Sequence, residues 1–276
     1  MKPYRYEQDF GNVTVVYGRQ PSTRERSEPS IAKPHSIDIG FIGHERTLVR
    51  QPGGPVYARK IPAGTGGMHG FEPLEFVYVE GPSEYLELLP SLSVRTAAAA
   101  EFNSSAAISF DEIQDVDDLV LWTVATRFRA HAMGGWPLEP LAADVLIRCV
   151  VSHLVCTRLG GQPPRINDAR LSSSVLNQLR DYIEANIQTN ITLQNLATLA
   201  HCSPYHFIRM FTRTTGINPH EFVQSIRMER AKEALLSGAK VKSAALAVGY
   251  VHGHSFRKAF HRYFGTLPSL LLKAIQ

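Results

Sequence analysis

The residues whose types and spacing suit a chemistry lie mostly beyond position 200 of this sequence. Phe207, Arg209, Phe211, Gly216 and Pro219 recur as Phe256, Lys258, Phe260, Gly265 and Pro268, each pair 49 positions apart. Phenylalanines at i and i+4 share one helical face, which packs inward. The basic residue between them points elsewhere, and the glycine ends the helix. A guanidinium carried outward on such a helix can fork onto O6 and N7 of guanine, and a tyrosine such as Tyr205 can stack on a thymine methyl or bond a phosphate. Arg213, Lys258, His261 and Arg262 suit phosphate oxygens, which give affinity without sequence information. Chance is a poor explanation for five matched positions.

Those side chains need short helices to position them. Val175 to Ala185 is amphipathic. Thr192 caps a helix from Leu193 to Ala200, His201-Cys202-Ser203 turns the chain, and Ser203-Pro204 opens a second helix through Thr214. A short helix, a tight turn and a second helix make a helix-turn-helix, whose second helix enters the major groove. The second copy opens with Val241 to Val248, turns at Gly249-Tyr250, and has its reading helix from Gly253 to Phe264. Between the copies, Pro219 to Leu236 forms a helix of roughly 25 Å carrying Arg227, Arg230 and Lys232. Such a strut suits two reading helices about 34 Å apart, in successive major grooves on one face of a duplex.

Charge agrees with this division. From Leu171 onward there are twelve lysines and arginines against five acids, whereas the upstream part carries 17 against 20. A basic module on a mildly acidic one is the expected balance for a DNA-binding domain joined to a sensor domain. The 44% hydrophobic and 20% charged residues are those of a soluble globular protein. No uninterrupted apolar run reaches the roughly 18 residues of a membrane span, no apolar stretch follows the charges at Met1 to Tyr6, and Cys149, Cys156 and Cys202 suit a reducing cytoplasm.

The C-terminal residues 175–276 resemble the DNA-binding domain of the AraC/XylS family of transcription regulators. The resemblance is carried by Cys202 through Phe211, Gly216 through Val223, Arg227 through Leu236, and Gly249-Tyr250 through Phe260. It covers about a third of the chain and implies a seven-helix domain that binds near promoters and contacts RNA polymerase. It often goes with a small-molecule effector bound by the N-terminal domain. By the same resemblance, base contacts fall on Tyr205, His206, Ile208 and Arg209 in the first copy and on Gly253, His254, Arg257 and Lys258 in the second. Two departures stand out. Gly253 has no side chain to read a base, and Leu270-Leu271-Leu272 replaces the aromatic-plus-basic ending common after the last Gly-x-x-Pro.

Upstream, residues 12 to about 95 read as short β-strands: Val13–Tyr17, Ile37–Ile42, Val56–Arg59 and Glu75–Val79, with Gly81-Pro82-Ser83 as a hairpin into Tyr85–Leu89. Residues 20 to 34 read as loop. Leu121, Val124, Ala125, Phe128 and Ala132 then mark one face of a helix over Asp117–Met133, paired antiparallel with a buried helix from about Leu138 to Leu159. The expected architecture is α+β in two domains. A cupin-like β-barrel or sandwich with two helices (1–160, sensing and dimerisation) and a linker (161–174) precede an all-α domain with two helix-turn-helix units (175–276). The outer, charged part of Asp117–Met133 is the expected dimer contact.

Two constellations could hold a metal. Cys149, His153 and Cys156 share a helical stripe, but that helix is apolar all round and buried cysteine is usually inert. His44, His69 and Glu75 are the candidates a metal cupin would use, and an organic effector suits an apolar barrel better. No nucleophile–base pair or phosphate-cradling loop is present. The expectation is therefore a cytoplasmic regulator, not an enzyme, with no metal and no cofactor. Its partners are double-stranded DNA, RNA polymerase, an unidentified small molecule and a second copy of itself, with no membrane. The rivals are a cupin-like metal enzyme with a DNA-binding tail and an architectural protein with little sequence preference.

Overall fold

A computed structural model describes residues 2–21, 30–162 and 170–273. The chain divides into two compact units, Met1–Glu139 with Leu146–Arg165, and Pro140–Val145 with Ile166–Gln276. Residues 163–169 of the expected linker, and 22–29 of the expected loop, lie outside the described residues.

The first unit begins with strands rich in β-branched and aromatic residues. In chain order they are β1 (Tyr4–Asp9), β2 (Val13–Gln20), β3 (Ser30–Ile31), β4 (Ile37–Gly40), β5 (His44–Arg50), β6 (Tyr57–Ile61), β7 (Thr65–Met68), β8 (Glu75–Val79) and β9 (Ser83–Pro90). Helices α1 (Leu92–Phe102) and α2 (Ala106–Ser109), strand β10 (Ile113–Asp117), helix α3 (Leu119–Ala132) and helix α4 (Pro140–Arg158), of which Pro140–Val145 groups with the second unit, follow. The strands form two antiparallel sheets, ordered β1-β2-β9-β4-β7-β10 and β3-β8-β5-β6. The inward faces of β2, β4 and β9 contribute Val13, Val15, Tyr17, Ile37, Ile39, Leu86 and Leu88, all buried.

Helix α3 packs against β2 and β4. Asp118 caps it, its carboxylate accepting from the Val120 and Leu121 amides at 2.9 Å. The helix buries Leu121, Val124, Ala125, Phe128 and Ala132, the stripe its 3.6-residue period specifies. Nε2 of His153 on α4 meets the same Asp118 at 2.7 Å, which sets the later half of α4 beside the start of α3. By length and composition α4 could cross a membrane, yet it carries Asp144 and Arg148, and 61% of its most apolar window is buried. A core helix has those properties.

Three expectations are corrected here. Gly81-Pro82 does not close a hairpin, because β8 pairs with β3 and β5 while β9 pairs with β2 and β4. With Pro82 unable to donate, the segment instead carries the chain from one sheet to the other. Ser30–Ile31, expected as loop, is a strand against β8. The outer face of α3 is not chiefly charged: it exposes Leu119 (78%), Trp122 and Met133, while Arg129 turns back to bond Glu84 at 2.6 Å.

The second unit is helical throughout: α5 (Ser173–Ala185), α6 (Leu193–Leu199), α7 (Pro204–Thr215), α8 (Pro219–Leu236), α9 (Val241–Ala247), α10 (Gly253–Phe264) and α11 (Pro268–Lys273). Seven helices are thus described, as the resemblance implies. Asn218 and Glu221 form a reciprocal capping box at the start of α8, with Pro219 at its first position. Gly216 and Gly265, at φ +77° and +71°, end α7 and α10 in a left-handed conformation that costs side-chain-bearing residues energy.

Candidate nucleic-acid interface

The interface is built from buried rings upward. The rings of Phe207 and Phe211 lie 5.3 Å apart, tilted by 45°, and Phe211 meets Phe222 of α8 edge-on at 5.2 Å. Phe256 and Phe260 repeat the arrangement at 5.6 Å, in a core shared with Met228, Ala231 and Leu235 of α8. All four phenylalanines are fully buried. One face of each short helix is therefore fixed to α8, and the opposite face is left to solvent. α8 also uses a cation internally. Buried Arg227 donates from Nε to the Ile187 carbonyl at 3.2 Å and from Nη2 to the Thr189 carbonyl at 2.9 Å, tying the loop before α6. Arg230 pairs with Glu184 and Glu233.

On the outward face of α7, Arg209 and Arg213 are exposed, and His206 and Ile208 are half-buried. On α10, Gly253, His254, Arg257, His261 and Arg262 are exposed, and Lys258 is half-buried. Each helix thus presents a cationic strip opposite its phenylalanines. Tyr205 departs from the expectation. Only 3% of it is exposed, so its ring belongs to the core and has no edge to offer a base. The residue that sequence reasoning passed over is Lys242. It is exposed on α9, the helix that in such a pair crosses the phosphate backbone. Its signal was the basic excess of this segment.

The N-terminal candidates are dispersed. His44 Nδ1 meets the Glu80 carbonyl at 2.9 Å, and Glu75 pairs with Arg50. His69 is fully buried, with Nδ1 3.0 Å from Glu112 and Nε2 3.4 Å from Asp38. Burial alone would push this imidazole down, but Asp38 and Glu112 outweigh it and raise it to about 10. Nδ1 hydrogen-bonds the Glu112 carboxylate, while Nε2 stands at ion-pair distance from Asp38 without a hydrogen bond, so the two carboxylates favour the protonated ring. Of the helical stripe, His153 is engaged by Asp118, and burial pushes the Cys149 thiol up. Among the described residues, no group of three or more His, Cys, Asp or Glu is placed to hold a metal ion.

Comparison with known proteins gives this geometry a context. Residues 196–274 match a family model described as a helix-turn-helix domain. Over 104 residues the chain is 31% identical to the bifunctional transcriptional activator/DNA repair enzyme AdaA of Bacillus subtilis, covering 37% of this chain and 49% of that one. It is 30% identical over 135 residues to the HTH-type transcriptional regulator YijO of Escherichia coli, covering 48% and 46%. A solved structure of a probable AraC family transcriptional regulator from Rhodopseudomonas palustris is 31% identical, covering 38% of this chain and 99% of that one, with a TM-score of 0.34. The helical unit is an AraC-type helix-turn-helix domain, similar to those of HTH-type transcriptional regulators. The matched segments span about half the length of the curated relatives. The matched helix-turn-helix model lies in the helical unit, where the repeated phenylalanines and cationic strips are.

Proposed function

We propose that this chain is a sequence-specific transcription regulator whose helix pairs α6–α7 and α9–α10 are two helix-turn-helix units reading one asymmetric DNA site. The observation that supports this most is the repeated arrangement of buried phenylalanines and outward cations on α7 and α10. In this reading residues 175–276 form the DNA-binding domain and 161–174 a linker. His206, Ile208 and Arg209, with Gly253, His254, Arg257 and Lys258, face base edges, while Arg213, His261 and Arg262 hold phosphates. Residues 1–160 form a cupin-like sensing and dimerising domain. A small-molecule effector there shifts the population of arrangements that bind DNA or RNA polymerase. The site of action is the cytoplasm.

Selection of bound sequences from a random DNA pool by the full chain tests the reading. The expected product is a two-part asymmetric site with centres about one helical turn apart. Arg209→Ala should cost roughly 1–3 kcal/mol and relax choice at one base pair. Arg213→Ala should weaken all sequences alike and reduce the slope of log affinity against log salt by about one. A pool with no enriched sequence refutes the proposal. For the dimer, Leu119→Lys on the exposed apolar face of α3 should yield monomers in sedimentation, and an unchanged dimer would remove that face from the contact.

A further inference from the structure

A groove of about 350 Å³ lies between α9 and the first turn of α10. Its lining includes Leu246, Val251 and Gly253, with the cations Lys242 and Arg257. Val251 is 80% exposed and Leu246 48%, so two branched apolar side chains face solvent beside the strip assigned to base contact. Among the described residues, α6 and α7 expose no large apolar side chain. Counted from the first residues of α6 and α9, Lys242 and Leu246 stand where the first pair has Gln194 and Thr198. There, Gln194 Nε2 donates to Thr198 Oγ1 at 3.4 Å, and that hydroxyl donates to the Gln194 carbonyl at 2.8 Å. The first surface is polar and satisfied within itself, whereas the second is apolar and open.

Gly253 sharpens the contrast. Its φ is not in the left-handed region, and a Cβ added to it would meet no atom within 4 Å. Neither backbone conformation nor internal packing calls for glycine there, although glycine gives up backbone entropy that alanine would keep. The remaining physical use of a missing Cβ is close approach by something outside the chain. Lys242 and Arg257 beside the groove complement a polyanion, and the apolar floor complements the one apolar group a base pair shows in the major groove, the C5 methyl of thymine.

Resting on the regulator reading above, we propose that Leu246 and Val251 form a pocket for a thymine methyl in the half-site read by α10, with Gly253 letting the base in. Methyl contact then adds to the base preference that Arg257 and Lys258 give the second half-site.

The test starts from the site selected by the full chain and replaces its thymines singly with deoxyuridine, which removes only the methyl. One thymine in the second half-site is expected to lose affinity roughly fourfold for the unaltered chain, the worth of one buried methyl-sized group. Val251→Ser and Leu246→Thr should each bind thymine and deoxyuridine at that position about equally, with unchanged thermal unfolding because both side chains are exposed. The inference falls if no thymine there is methyl-sensitive, or if Val251→Ser keeps the sensitivity. It falls equally if Val251→Ser leaves DNA binding intact but lowers transcription, because the groove would then serve a protein partner. A pool without any enriched site would remove the regulator reading itself, an outcome distinct from a selected site that is indifferent to the methyl.

Discussion

His69→Leu is expected to lower the stability of the first unit by about 3–5 kcal/mol, the usual cost of stranding buried charge without its partner. The imidazole lies between Asp38 and Glu112, and Glu112 also accepts from the Gly70 amide at 3.3 Å. Leucine fills the space but leaves two carboxylates facing each other across an apolar side chain. Adding Asp38→Asn to His69→Leu should recover part of the loss, since the two changes share one cluster and are not additive. The pH profile gives an independent check. His69 is raised above its ordinary 6.5 to about 10, so its contribution is complete below about pH 6.5 and is lost as pH rises through 10. Burial opposes the ionised form of Asp38, but His69 outweighs it and holds the carboxyl below its ordinary 3.8; that contribution is lost as pH falls through the lowered value. Thermal melts of the unaltered chain should show this unit most stable between about pH 4 and 6.5 and weakening toward pH 10. In His69→Leu the alkaline decline should be reduced. Equal melting of the two proteins at pH 6 would exclude the clamp as a stabilising element.

Parts of this molecule were legible residue by residue, and parts were not. Helix α8 begins and ends where Asn218-Pro219 and Leu236 place it, because capping box, proline and apolar period agree at short range. The same holds for α10, which runs from Gly253 to the residue before Gly265. Helix α1 was hidden by Ala97 to Ala100, a run with no apolar period to recognise, although Ser91 caps it by accepting from the Val94 amide. The β8–β9 connection misled because a Gly-Pro corner between sheets and a hairpin have similar local sequences, and only distant pairing tells them apart. His69 could be singled out as a histidine, but not its role. Asp38 and Glu112 become its partners only once β4, β7 and β10 lie side by side. In the interface, the strips on α7 and α10 followed from the repeat. The burial of Tyr205 did not, since the position matched to it in the second copy, His254, is exposed.

Phe256→Ala should separate the two halves of DNA recognition. The ring is fully buried, 5.6 Å from both Tyr250 and Phe260, among Met228, Ala231, Ala244, Ala245 and Val248. Truncating a buried phenylalanine removes its transfer free energy and leaves a cavity, about 3–5 kcal/mol together. That loss falls on the contact holding α10 against α8 and α9, so it should release the second reading helix before the first, whose Phe207 packs on Phe211 and Phe211 in turn on Phe222. Hydrogen exchange should show protection lost over residues 241–264 and kept over 204–215. Sequences selected by this variant should keep preference in the half-site of α7 and lose it in the half-site of α10. Arg257→Ala is the necessary contrast: an exposed side chain on the same helix, whose loss should alter base preference while leaving exchange protection and melting as they were. If Phe256→Ala erased both half-sites together, α8 would not be insulating one helix pair from the other, and the domain would have to be treated as one cooperative reader.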